Sequence, residues 1–155
     1  MDARYKGYFQ SYASTLSEPQ RSEILDVETT YFCDDEYNTN ECARLVSVGK
    51  KRATCSVKEA YRIEGEELPK VGQHQIVLDW KKNPVCIVKI TNVDFCPFGQ
   101  VSREFAESEG EGDGTFEWWY KAHNDFFTQD CKLAYDIDFN DSTELVLVSF
   151  ELVYK

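Results

Sequence analysis

Tyr5, Tyr8, Phe9, Tyr12 and Leu16 recur at helical spacing and predict a helix with one apolar face. Ser17-Glu18-Pro19 marks its end. Cys33-Asp34-Asp35-Glu36 is acidic and aperiodic, the pattern of a loop. A second helix should follow, with Cys42, Leu45 and Val46 turned inward and Gly49 as its stop. Lys50 and Lys51 then lie at its C-terminal end, where the helix dipole favours cations. After Gly49 the period changes. Residues 54–57, 75–80 and 85–93 are β-branched and apolar, bounded by Pro, Gly or Asn, and predict strands. Lys81-Lys82-Asn83-Pro84 predicts a hairpin turn between the last two.

Residues 101–108 and 115–128 predict helices. In the second, Trp119, His123 and Phe127 stack four apart, as do Trp118, Ala122 and Phe126, so the helix is apolar on nearly all sides. Such a helix belongs in a core; alternatively one face lines a pocket and stacks a nucleobase, or stands exposed for a protein partner. The closing run alternates, with Val146, Val148, Phe150, Leu152 and Tyr154 facing one way, as in a half-buried strand. Helices flanking a small, curved, mostly antiparallel sheet make an α+β domain, expected to be a compact barrel.

Composition narrows the partners. At 155 residues, 42% hydrophobic and 14% aromatic, the chain can bury a core and does not have the makeup of a disordered segment. A net charge of -11 opposes a surface that embraces phosphate backbones, so DNA is not expected as a partner and a small ligand is easier to accommodate than long RNA. Six cysteines without a C-x-x-C pair and only two histidines give no usual zinc spacing, and neither metal nor cofactor is expected. No signal-peptide pattern or membrane-length apolar stretch is visible, and a cytoplasmic protein with reduced, mostly buried thiols is expected.

The stretch Gly49-Lys50-Lys51-Arg52-Ala53-Thr54-Cys55-Ser56 sets a lysine and a threonine three residues apart where helix gives way to strand. The later run Glu107-Ser108-Glu109-Gly110-Glu111-Gly112-Asp113 offers a carboxylate. A threonine hydroxyl needs a base to become a nucleophile, and Lys51 could serve if burial and the neighbouring cations Lys50 and Arg52 depress its pKa. Glu109, at the negative end of a helix and among acidic neighbours, would hold a proton for a leaving amine. The plainer account is that Lys51 caps a helix and Thr54 is an ordinary strand residue. The acidic run also has the first offsets of a calcium loop, but Tyr120 stands where the bidentate glutamate belongs. His123 is either a hydrogen-bonded core histidine or a site residue.

Together these residues resemble the ASCH domain family, whose members are PUA-like β-barrels. The resemblance runs through residues 49–56, Val71-Gly72, Pro84-Val85-Cys86-Ile87, Val101 to Phe105-Ala106, residues 109–113, Trp119 with His123 and Phe127, and the closing Phe150-Glu151-Leu152-Val153-Tyr154. It covers residues 35–155; residues 1–34 look like an N-terminal helical extension of the longer bacterial branch, packed on the same domain. The fold it implies is a small β-barrel of mostly antiparallel strands with flanking helices. One branch hydrolyses the acetamide of N4-acetylcytidine with a Lys, Thr and Glu triad, which falls here on Lys51, Thr54 and Glu109. Lys50, Arg52, Trp119 and His123 are the accompanying ligand-binding candidates, for a nucleoside or single-stranded RNA. Other members imply an RNA-binding or ribonuclease module without amidohydrolase activity. The chain departs from its branch at Tyr120, where an arginine commonly follows the tryptophan.

Overall fold

The computed structural model describes residues 1–155 and is built on two long antiparallel strands, β4 (Pro84–Pro97) and β5 (Glu144–Tyr154). They pair from Ile87 with Tyr154 to Pro97 with Glu144, with irregularities after Ile87 and Ile90 that bend the ribbon. β3 (His74–Leu78) adds antiparallel to β4, and β2 (Ala53–Val57) antiparallel to β5. A fifth strand, β1 (Val27–Thr30), joins β3 in parallel, giving the order β1-β3-β4-β5-β2. The fold is therefore α+β and mostly antiparallel, as the pattern of the chain predicts. It departs from the expected barrel in one respect: β1 and β2 are edges that do not pair, so the sheet stays open.

Alternation along β3 and β4 gives the sheet two buried faces. Val77, Cys86 and Val88 pack with Phe32 and with Cys42, Ala43 and Val46 of α3 (Glu36–Ser47). Ile76, Leu78 and Ile87 pack with Tyr12 of α1 (Ala3–Ala13), flanked by Tyr5, Tyr8, Phe9 and Leu16. The predicted stripe is thus real, but α1 stops at Ala13. Ser17 caps a separate turn, α2 (Glu18–Ser22), with a reciprocal Ser17–Gln20 capping box and Pro19 in its first turn.

The largest cluster lies where Val57, Leu145, Leu147 and Phe98 meet α6 (Phe116–Tyr135) through Trp119, Phe127 and Cys131. Between β2 and β3 a further helix, α4 (Lys58–Glu64), ends at Gly65 in the left-handed conformation. α5 (Arg103–Ser108), capped by Ser102, leads into the acidic loop. Tyr120 lies on the core side of α6, stacked on Phe98 at 4.9 Å with its hydroxyl donating to Asp141. No helix is long and apolar enough to cross a membrane.

Candidate active site

Three backbone anchors fix Lys51 at the junction of α3 and β2. Its own N–H donates to Leu45 O at 3.1 Å, the Arg52 N–H to Ser108 O at 2.8 Å, and the Phe150 N–H to Arg52 O at 3.0 Å. The second bond ties the start of β2 to the end of α5, which brings the acidic loop alongside. Gly110 makes the approach possible. It has φ +66, and a Cβ there would sit 2.3 Å from Lys50 O. With the loop seated, Lys51 Nζ donates to Glu109 Oε2 at 3.1 Å and to Glu111 Oε1 at 2.5 Å, with the Phe32 ring 5.2 Å away.

This cluster is largely shielded from solvent. The Lys51 and Glu109 side chains are each 1% exposed and that of Glu111 is 18% exposed. Burial alone would push the Lys51 ammonium down, but Glu109 and Glu111 outweigh it and hold it well above its usual range. Burial likewise pushes Glu109 up, and Lys51 and then His123 reverse this, to about 2. The expected depressed lysine and proton-bearing glutamate are thus inverted in the resting protein. The physical reason is that Lys50 and Arg52 point to solvent while two carboxylates converge on the amine.

His123 joins from α6, its ring stacked on Trp119 at 4.5 Å. Its Nδ1 lies 2.8 Å from Trp119 O. A carbonyl only accepts, so Nδ1 carries a hydrogen and donates. Nε2 faces Glu109 Oε2 at 3.3 Å. Burial pushes the imidazole pKa down, and Glu109 more than offsets it, leaving a net rise. Cys55 faces the same carboxylate; its thiol is pushed well up by burial and then by Glu109. Cys55, Glu109 and His123 offer atoms that all lie within 4.8 Å of one another.

In front of the cluster opens a cavity of about 460 Å³. Thr54, Cys55, Glu109, Glu111 and His123 contribute to its wall, and Trp118, Ala122 and Phe126 from α6 form an apolar side. Trp118 and Phe126 are 37% and 41% exposed, so α6 is neither wholly core nor wholly surface. Of the predicted site residues, Lys51, Glu109 and His123 come together, with Thr54 on the cavity wall. Lys50 and Arg52 are exposed and do not line the cavity, and Trp119, 1% exposed, supports His123 from behind. Lys51 donates to the two glutamates rather than to Thr54. Glu111 and Cys55 are additions. Glu111 stood out in the sequence only as a member of the acidic run, and Cys55 only as a member of the stretch that holds Thr54.

The sequence pattern of the ASCH domain family matches residues 28–154. The structure is similar to that of an ASCH domain from Lactobacillus crispatus JV V101, with 41% identity, a TM-score of 0.94, and coverage of 100% of this chain and 97% of that one. A protein from Enterococcus faecalis V583 shares 34% identity over 96% of this chain and 87% of its own, with a TM-score of 0.80. An ASCH mutant protein from Zymomonas mobilis, 9% identical with a TM-score of 0.50 over 84% of this chain and 72% of its own, speaks to the fold alone. Among curated proteins no sequence match is found.

Proposed function

This chain belongs to the ASCH domain family, and we propose that it binds a modified pyrimidine nucleoside in the cavity and hydrolyses its N4-acyl amide. The observation that carries this reading is the buried Lys51–Glu109 pair at 3.1 Å beside a cavity of nucleoside size. Trp118 and Phe126 supply faces for a base to stack on. A neutral nucleoside also suits a chain of net charge -11.

The inverted protonation is compatible with the chemistry. Passing one proton from Lys51 Nζ to Glu109 converts an ammonium and a carboxylate into an amine and an acid. A ligand that excludes the remaining water favours this neutral pair. The amine turns from Glu111 and takes the Thr54 proton while Thr54 Oγ bonds to the acyl carbon. Glu109 gives its proton to N4 as the amide C–N bond breaks. Lysine is again cationic and glutamate anionic, cytidine departs, and water cleaves the threonyl ester to release the carboxylic acid. The six free thiols suit a reducing, cytoplasmic setting.

Incubation with N4-acetylcytidine should yield cytidine by chromatography, and Thr54→Ala should abolish turnover with the fold retained. An inert wild type, or an active Thr54→Ala, ends the catalytic reading. The exposed Lys50 and Arg52 favour a second reading, an RNA-binding module. It calls for RNA affinity that falls steeply between two salt concentrations, whereas nucleoside binding should barely respond.

A further inference from the structure

Cys55, Glu109 and His123 come from three elements, β2, the end of α5 and α6, and all three line the cavity. His123 is held as a metal-binding imidazole usually is. Nδ1–H is committed to the Trp119 carbonyl, which fixes the ring and leaves Nε2 as the outward atom. That atom faces Glu109 Oε2 at 3.3 Å. A charge-assisted N–H···O contact is shorter, about 2.7–2.9 Å. Two ligand atoms each about 2.0–2.1 Å from one tetrahedral ion stand about 3.3 Å apart. Glu109 Oε1 is the second independent sign: Lys51 already occupies Oε2, whereas Oε1, buried on a side chain 1% exposed, has no partner in hydrogen-bond geometry, and the Cys55 thiol bears on the same carboxylate.

We infer that Cys55 Sγ, a Glu109 carboxylate oxygen and His123 Nε2 form a binding site for a borderline-soft divalent cation of the zinc type, with its fourth position open to the cavity. Sulfur, nitrogen and oxygen donors in this ratio suit zinc or cobalt and disfavour magnesium or calcium, which take oxygen alone. Lys51 keeps Glu111 as its own partner at 2.5 Å, so Glu109 can ligate without stranding the ammonium. With Cys55 as thiolate and His123 neutral, a divalent ion leaves the five-residue cluster uncharged. The expectation of no metal, drawn from cysteine and histidine spacing, misses the site because its ligands lie 54 and 14 positions apart in the chain. The inference stands on the Cys55–Glu109–His123 geometry and not on the hydrolase reading; the two share Glu109, and a bound ion would withdraw it from carrying a proton.

The chelator-treated full chain is titrated with Co²⁺ and then challenged with Zn²⁺. A single equivalent should bind, with a thiolate-to-cobalt charge-transfer band and the intense visible bands of a four-coordinate ion, both displaced by Zn²⁺. Cys55→Ser should remove the charge-transfer band with the circular dichroism unchanged. His123→Gln should weaken binding by more than the about 10–100-fold that losing an outer partner costs. Cys33 and Cys42, with sulfurs 3.9 Å apart, are the rival thiols, and Cys33→Ser should leave the spectrum intact. X-ray absorption of the wild-type zinc form, which needs no variant, should show one sulfur and otherwise N/O ligands. No stoichiometric binding, a six-coordinate spectrum lacking the band, two sulfurs on the ion, or a band lost in Cys33→Ser and kept in Cys55→Ser each overturns the assignment.

Discussion

The protein's two histidines are both shielded and both packed on aromatic rings, yet their basicities move in opposite directions. His74 opens β3 with its ring 5.7 Å from that of Tyr12 and 6.1 Å from that of Phe9. Its nearest polar side-chain contact is the Tyr12 hydroxyl at 3.4 Å. Burial, and then Lys89, push its pKa down. His123 stacks on Trp119 and suffers the same desolvation, but Glu109 faces its Nε2 and the pKa rises. Burial therefore does not decide the charge of an interior imidazole here. One carboxylate at contact distance does, and Lys51, ahead of His123 itself, is the strongest influence keeping that carboxylate ionised.

The strongest way to break this contrast is to remove the lysine. Lys51→Met strands a carboxylate that is 1% exposed, and should cost about 3–5 kcal/mol in urea unfolding, as breaking a buried pair does. A loss below about 1 kcal/mol, the value of a surface pair, would show that Glu109 does not depend on Lys51.

Glu109→Gln is the next test, read by NMR titration of both rings in the chelator-treated, metal-free protein. His123 should fall from above its ordinary 6.5 to below it, joining His74, whose titration should not change. The same variant should reshape the acid limb of stability. Glu109 has a folded pKa of about 2 against an ordinary 4.5, so its contribution is complete above 4.5 and is lost as pH falls toward 2. Glu109→Gln should flatten that limb. His123 works in the opposite sense: its raised pKa gives stability below 6.5 that is lost as pH rises through the folded value. The smallest expected effect is that of Tyr12→Phe, which removes a long 3.4 Å contact. It should cost about 0.5 kcal/mol and leave the His123 resonances in place.

Long periodic elements were legible in the chain. β5, α3 and α6 fall where apolar spacing puts them, although α6 continues to Tyr135 and β4 to Pro97, beyond the predicted limits. The short elements were not. β1 has four residues, of which only Val27 is apolar, and it exists because β3 offers it hydrogen-bond partners. α4 starts directly after β2 with Val57 at its cap and no side-chain capping bond, so nothing local announces its start. At the site, motif spacing picked out Lys51 and Glu109 but misjudged their protonation. That depended on Glu111 turning inward and Lys50 and Arg52 turning outward, which local pattern does not encode. Cys55 follows Thr54 in β2 and carries no spacing signal of its own. The neighbours of β2 that face Cys55 are brought there only by the tertiary fold.

The parallel pairing of β1 with β3 also bears on how the chain can be shortened. A fragment beginning at residue 34 would lack the strand that occupies the outer hydrogen bonds of His74 to Val77. It would also lack the Tyr12 lid over Ile76 and Leu78. What remained would carry a raw, sticky seam able to zip to its twin in another molecule. Trimming the leading arm should therefore yield a protein that self-associates, and the arm acts as the hem of the fabric.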